Sequence, residues 1–441
     1  MKKWPKVIKL NPSQLLVSVF LIAIAIGTLL LKLPISVNKP IGWSDALFVT
    51  TSAMTVTGLS TVDPSSVFTV FGQTVIALLI QIGGLGIMSF AVLIYMMLGR
   101  KIGMKERLLM QQALNQTSVG GVVRLVRRLF VFSFIIEFIA MIFLSFRWVP
   151  EFGWSKGLFY SFFHAVSAFN NAGFALFPNN LMNYAGDPLI NIVISLLFII
   201  GGIGFTVLVD IWNKKRFKKF SLHTKLMVAG TIVINLIAMF VLFFIEYSNP
   251  HTLGALSFGD KLWASYFQAV SPRTAGFNTI NIADMKDSSL FFMVILMFIG
   301  AGSASTGGGI KLTTALVIFL ATITFVRGKT TLSIGRRSLN KSYIAKALAI
   351  TVVSLLFIVL AIFIMNLTEK ASFLQVLFEV VSAFGTVGLS MNLTASLSLT
   401  GKLVIIFIMF LGKLGPLTLM FSLATPEKEL TRYPEEDILT G

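Results

Sequence analysis

Four glycine-centred turns recur at nearly even spacing in an otherwise apolar chain, and few folds can accommodate them. They are Thr55-Val56-Thr57-Gly58-Leu59, Asn171-Ala172-Gly173-Phe174, Thr274-Ala275-Gly276-Phe277 and Thr386-Val387-Gly388-Leu389. Their glycines lie 115, 103 and 112 residues apart. Each turn follows a segment too short to cross a membrane and too apolar to be an ordinary loop.

The solvent of this chain follows from its composition. Of 441 residues, 56% are hydrophobic and only 12% charged, so most of the chain belongs in lipid. The net charge of +18 is not spread evenly. Twenty-five of the 36 Lys and Arg fall in five segments: the N-terminus to Lys9, Arg100–Arg128, Lys214–Lys225, Arg327–Lys346 and the C-terminal tail. These alternate with apolar pairs of segments, which is the positive-inside pattern of a polytopic protein with both termini in the cytoplasm. Nucleic acid is not the expected partner, because these loops offer few aromatic or base-reading groups beside their charges. The absence of cysteine excludes disulfides, thiolate metal sites and Cys nucleophiles. Lys2, Lys3, Lys6 and Lys9 precede an apolar run from Leu15 to Leu31, whose length suits a retained spanning helix rather than a signal peptide.

The chain then repeats one pattern four times. First helices are expected at 14–33, 128–147, 224–246 and 344–366, and second helices at 70–98, 188–211, 288–326 and 400–423. Between them, Ser44–Thr55, Ser155–Asn170, Asp260–Ser271 and Ser372–Gly385 read as re-entrant half-helices. A phenylalanine falls ten residues before the glycine in repeats one, two and four (Phe48, Phe163, Phe378), while Phe267 falls nine before it in repeat three. Repeat three is therefore one residue shorter. The boundaries assigned are 1–115, 116–220, 221–335 and 336–441, the last carrying the tail.

Two crossings per repeat start every repeat on the same face, so the four turns can meet on one axis at one depth. Non-helical backbone is tolerated in hydrocarbon only where it is buried in protein or lines water. A ring of carbonyls meets that condition and makes a cation site, and glycine suits its φ/ψ and close approach. The half-helices point their partly negative C-terminal ends at the ring. The expected architecture is an all-α integral membrane fold of four parallel helix–pore-helix–helix repeats. Eight transmembrane helices and four re-entrant pore loops would surround one central pore.

Repeat three has a second peculiarity. Ser288–Val326 would extend ~58 Å as one helix, well beyond the bilayer. Its middle, Gly300-Ala301-Gly302-Ser303-Ala304-Ser305-Thr306-Gly307-Gly308-Gly309 followed by Ile310-Lys311, is too glycine-rich to stay helical. Each flank alone is only about half a membrane thick. A loop held inside the membrane below the ring would obstruct the pore, which makes residues 300–311 a gate candidate.

These pore loops, the Gly-Ala-Gly-Ser-Ala-Ser-Thr stretch ending in Ile310-Lys311, and Gly412-Lys413-Leu414-Gly415-Pro416 together resemble the Trk/Ktr/HKT superfamily. Within it, the similarity is greatest to the ion-translocating membrane subunits of bacterial Ktr-type potassium transporters. The resemblance runs from Leu10 to the last residues. It implies potassium uptake across the plasma membrane and a homodimer of pores. It also implies a cytosolic ring of nucleotide-binding RCK regulatory subunits, with Na+ as an activator and no cofactor bound by this chain. Carried over by position, the potassium filter is Val56, Thr57, Gly58, Leu59, Asn171, Ala172, Gly173, Phe174, Thr274, Ala275, Gly276, Phe277, Thr386, Val387, Gly388 and Leu389. The gate is Gly300, Gly302, Ser303, Ser305, Thr306, Gly307, Gly308, Gly309 and Lys311. Lys413 stands where many relatives carry a pore-facing arginine that acts as an electrostatic barrier. Lysine keeps the charge but lacks the planar fork, which leaves its coupling to the loop open.

Other polar groups carry weaker expectations. Glu137 should meet a polar group of a neighbouring helix, with a proton relay as the alternative. Asp210 should make a cytoplasmic-end contact. Arg273 should hold the shorter third turn. Glu379 should either bond filter backbone or concentrate cations, and His164 and Gln268 should pack and hydrogen-bond at corresponding positions. Membrane lipid and the RCK ring are the expected neighbours of the basic loops and of the tail with Glu427, Glu429, Glu435, Glu436 and Asp437. Two other function classes compete. A coupled secondary transporter, including a sodium-coupled or less selective monovalent-cation carrier, would need inverted repeats and a midplane acidic cluster. An enzyme would have to work with three histidines, no cysteine and no clustered acid pair.

Overall fold

The computed structural model describes residues 12–86, 89, 122–329, 331–334, 337–423 and 436. The first helices are Pro12–Lys32, Val122–Phe152, Leu222–Glu246 and Lys341–Thr368. All four are long and apolar enough to cross a membrane, and only 17–33% of each apolar window is buried against the rest of the chain. Outward side chains such as Phe138, Phe240, Phe244 and Phe363 therefore need hydrocarbon as their solvent. Val122–Phe152, at 31 residues, outruns the expected 128–147 at both ends. The arginines that close its apolar run do not end the helix, because helical residues beyond the ~30 Å core carry charge freely.

The short helices are Trp43–Thr55, Trp154–Phe169, Phe258–Val270 and Phe373–Gly385, within two residues of expectation. Serine caps start the last two: Ser257 accepts from the Asp260 N–H, and Ser372 forms a capping box with Gln375. Their C-terminal halves are buried, and the four register phenylalanines Phe48, Phe163, Phe267 and Phe378 are wholly enclosed.

The second helices depart from the expected single runs. Repeat two has Pro188–Ile203 and then Phe205–Lys214, turned by 95°. Repeat four has Leu399–Leu414 and then Pro416–Leu423, turned by 98°. The joints are Gly204 (φ 107°) and Gly415 (φ 84°), a backbone region open chiefly to glycine. In repeat one Val70–Leu85 ends at Gly86, also at positive φ. The break in repeat three is thus not peculiar to it. Asp287–Phe298 and Leu312–Val326 flank a joint that has grown from one glycine into a loop.

A two-residue antiparallel pairing, Ser333–Ile334 with Arg337–Ser338, is the small exception to the all-helical expectation. The far part of the expected helix 70–98, most of the Arg100–Arg128 segment, the N-terminal lysines and tail residues Glu427, Glu429, Glu435 and Asp437 lie outside the described residues.

The repeats pack in a circle. The second helix of repeat one lies on the short helix of repeat two, that of two on three, that of three on four, and that of four on one. Each short helix is thereby covered on one side by the second helix of the preceding repeat.

Candidate functional site

The four turns share one backbone conformation. Two residues before each glycine the chain is left-handed, at Val56 (φ 52°), Asn171 (59°), Thr274 (70°) and Thr386 (48°). The next residue returns to negative φ, and Gly58, Gly173, Gly276 and Gly388 are again positive at 95°, 68°, 75° and 93°. Such alternation lets successive carbonyls face the same side, which is how backbone alone coordinates a desolvated cation.

A serine at the end of each short helix sets the turn. Ser52, Ser167 and Ser382 accept through their carbonyls from Thr57, Ala172 and Val387 N–H, each at 2.8 Å. Their hydroxyls then reach further. Ser52 and Ser382 accept from the N–H of Gly58 (3.0 Å) and Gly388 (3.2 Å). Ser167 and Ser271 instead donate to the carbonyls of Phe174 and Phe277, just past their glycines. Repeat three absorbs its missing residue here, because Ser271 accepts from Ala275, four residues on rather than five.

The turns close into a ring. A methyl placed on Gly58 would come 2.5 Å from the Ala172 carbonyl oxygen, and one on Gly173 3.0 Å from that of Ala275. On Gly276 it would meet Val387 O at 2.1 Å, and on Gly388 Thr57 O at 2.1 Å. The order one, two, three, four, one is the order in which the helices pack. On one side of the ring a cavity of about 480 Å³ is lined by Gly58, Gly173 and Gly388, by Asp63, and by Asn180 and Asn278.

The repeat-three loop meets the opposite side. Thr306 Oγ1 donates to Asn171 Oδ1 (2.7 Å), and Asn171 Nδ2 donates to Thr274 Oγ1 (3.2 Å). Gly308 N–H donates to Thr386 Oγ1 (2.8 Å). A methyl on Gly307 would strike Thr274 Oγ1 at 2.2 Å. The loop therefore touches the residue two before the glycine in three of four repeats. It is also stitched to the broken helix of repeat two: Gly302 N–H donates to Gly202 O (2.8 Å), Phe205 N–H to Ala304 O (2.8 Å) and Thr306 N–H to Gly201 O (3.3 Å). Backbone groups freed where that helix breaks find their partners in the loop. Within the loop, Ser303 Oγ pairs with Thr313, Ser305 Oγ donates to Gly302 O, and Gly300 N–H donates to Ile310 O. Lys311 Nζ donates to Gly307 O (2.6 Å), and Gly309 takes positive φ (67°). Lys413 Nζ donates to Thr306 O (2.5 Å), so a single ammonium donor ties its helix to the loop.

The residue after each register phenylalanine is Val49, His164, Gln268 or Glu379. Leu176 N–H donates to His164 Nε2 (3.3 Å), so the ring carries its proton on Nδ1, which donates to Tyr160 O (2.8 Å). Glu379 accepts from Ser390 Oγ (2.7 Å) and from Thr394 Oγ1. It braces side chains past the turn rather than the turn's backbone. Gln268 is buried with neither amide atom partnered among the described residues.

Glu137 accepts from Gln81 Nε2 (3.0 Å) of repeat one and from Asn170 Nδ2 (3.3 Å), matching the expected neighbouring polar group. Asp210 accepts from Lys214 Nζ (2.7 Å), Ser221 N–H and Thr224 Oγ1 near the end of its helix. Arg273 does not hold its own turn. It donates instead to Asn235 Oδ1 (3.1 Å) on the first helix of repeat three.

A second tier of glycines lies outside the four-turn pattern. Methyls on Gly83, Gly201 and Gly412 would lie 1.9, 1.8 and 2.0 Å from the carbonyls of Met54, Phe169 and Phe384, each four residues before a ring glycine. The signal was present as a Gly-x-x-Gly spacing: Gly83/Gly86, Gly201/Gly204 and Gly412/Gly415.

Comparison with known proteins gives the family and the fold. The TrkH family, described as cation transport protein, matches residues 6–433. The chain is 58% identical to Ktr system potassium uptake protein B of Bacillus subtilis (strain 168), over 100% of this chain and 98% of the relative. It is 44% identical to the protein of the same name from Vibrio alginolyticus, over 98% and 95%. The crystal structure of the potassium transporter TrkH from Vibrio parahaemolyticus superposes with a TM-score of 0.73 at 21% identity, covering 96% of this chain and 87% of that one. That likeness carries the fold.

Proposed function

The chain belongs to the TrkH family of cation transport proteins, and from that premise we propose that it takes up potassium through the ring of glycine turns. Val56–Leu59, Asn171–Phe174, Thr274–Phe277 and Thr386–Leu389 act as the selectivity filter. The observation that carries this reading is the ring closure, in which each glycine faces the carbonyl of the next repeat. Carbonyl dipoles at such a ring replace the water lost by a cation, and a fixed ring favours the cation it fits. The relatives' names supply the ion.

In this reading the loop 300–311 is the gate, and Lys413 the positive barrier beside it. Passage requires the loop to leave the underside of the ring, breaking its bonds to Asn171 and Thr386. Two long-range hydrogen bonds at ~0.5–1.5 kcal/mol each, plus a charged one at ~1.5–3 kcal/mol, set the scale of that bias. A cytosolic RCK ring, binding the nucleotide itself, is the regulatory partner, and the name "Ktr system" on two relatives supports a multi-component assembly. A homodimer in the plasma membrane with cytoplasmic termini, and stimulation by Na+, complete the reading.

The test is complementation of a bacterium lacking potassium uptake, with and without a co-expressed RCK partner. Growth on low potassium that depends on the chain, and rises with the partner, is expected. Failure to grow while the protein reaches the membrane refutes the transport reading, and growth indifferent to the partner refutes the regulatory part.

A further inference from the structure

Arg273 lies three residues before Gly276 and is 8% exposed. Among the described residues the one hydrogen bond of its side chain goes to Asn235 Oδ1, and its Nε–H has no acceptor. Among the described residues no carboxylate lies within ion-pair distance of it. A guanidinium so placed at membrane depth calls for a counter-charge.

The arginine lines a cavity of about 20 Å³ between repeats two and three, shared with Phe198, Gly202, Thr231, Asn235 and Ala301. Thr231 Oγ1, also buried, has no partner either among the described residues. Asn235 spends its carbonyl on Arg273, which leaves its amide N–H groups to donate. The unspent donors here are the Arg273 Nε–H, the Asn235 amide and the Thr231 hydroxyl, the last of which can also accept, and they lie beside a fixed positive charge. A water would fill such a space and satisfy some donors but leave the charge unbalanced. The volume suits one atom-sized ligand.

We propose that this cavity binds a single halide-class anion, chloride in the cell, held by Arg273, Thr231 and Asn235. The site adjoins the seam where Gly302 N–H donates to Gly202 O, so occupancy stiffens the attachment of the repeat-three loop to repeat two. The proposal is independent of the transported ion, and its test does not use transport.

The test has two arms on the purified full-length protein in detergent. In thermal melts at constant potassium and ionic strength, replacing gluconate by chloride or bromide raises Tm saturably. Thr231→Val raises the half-effective chloride concentration about tenfold, the loss of one hydrogen bond to a charged group, and Arg273→Met abolishes the effect. In crystals grown in bromide, anomalous density lies against the Arg273 guanidinium. Equal melting in chloride and gluconate overturns the proposal, as does a cavity without anomalous signal in bromide. Should Arg273→Met not fold, the bromide crystals of the unmodified protein decide.

Discussion

The ammonium of Lys413, one residue from the end of the first half of the repeat-four second helix, donates to the carbonyl of Thr306 in the repeat-three loop. Thr306 also donates through its hydroxyl to Asn171, two residues before a ring glycine. One residue of the loop is thus held from repeat four and from repeat two at once. Lys413→Met removes both the tie and the charge and should raise rubidium uptake into proteoliposomes several-fold, since a hydrogen bond to a charged group contributes ~1.5–3 kcal/mol. Lys413→Arg should stay within about twofold of the parent, by the same bond. Unchanged uptake in Lys413→Met at equal protein level would remove this contact from the gating account.

Deleting Gly307–Gly309 should also raise potassium flux. The deletion removes the Gly308 bond to Thr386 and the Gly307 acceptor of Lys311. Reduced or unaltered flux from protein that reaches the membrane would show that the loop is not the obstruction.

Gly58→Ser should weaken discrimination of potassium over sodium by about tenfold or more. A Cβ there would sit 2.5 Å from Ala172 O at φ 95°, so the ring must widen or twist; strain of ~1–3 kcal/mol at such a position is comparable to the free energies that separate the two ions. Competition of sodium with rubidium uptake measures it, and an unchanged selectivity ratio counts against the filter assignment.

Glu379→Leu should lower Tm and degrade selectivity together, because it leaves Ser390 and Thr394 without their acceptor, at ~1–3 kcal/mol for buried polar groups. Glu379→Gln, which can still accept through its carbonyl oxygen, should lose less than half as much. If Glu379→Gln is as damaged as Glu379→Leu, the charge and not the brace is what matters.

Gly201→Ala should destabilise the detergent-solubilised protein severely or prevent its accumulation, since a methyl there would lie 1.8 Å from Phe169 O. Gly259→Ala is the matched control: nothing lies within 4 Å of its added methyl, and it sits in a helix. It should be neutral or stabilising by up to ~1 kcal/mol. Similar melting temperatures for the two variants would contradict the packing assigned to the second glycine tier.

Legibility from sequence followed the range of the interactions. The short helices are legible to within two residues because their apolar length and closing serines are local, and serine caps mark the starts of the last two. The breaks at Gly86, Gly204 and Gly415 were overlooked because a single glycine in a long apolar run is compatible with a continuous helix. Only the positive φ and the 95° and 98° bends distinguish them. Arg273 looked like a support for its own turn because the turn is nearest in sequence, yet its partner Asn235 lies 38 residues away.

By itself the sequence determined that this chain lives in lipid, that it repeats four times, and that each repeat carries a glycine turn after a helix too short to cross. Those are consequences of solvent and local backbone chemistry, and each repeat displays them alone. The tertiary structure decided which carbonyl each ring glycine faces, where the repeat-three loop rests, and that a lysine suffices to hold it. Those depend on contacts between residues 78 to 331 positions apart, such as Gly308 with Thr386, Thr306 with Asn171 and Gly388 with Thr57. No local preference specifies such pairs. They are set when circular packing of the second helices brings all four turns to one level, and freed backbone groups that water cannot reach must find partners in the neighbouring repeat.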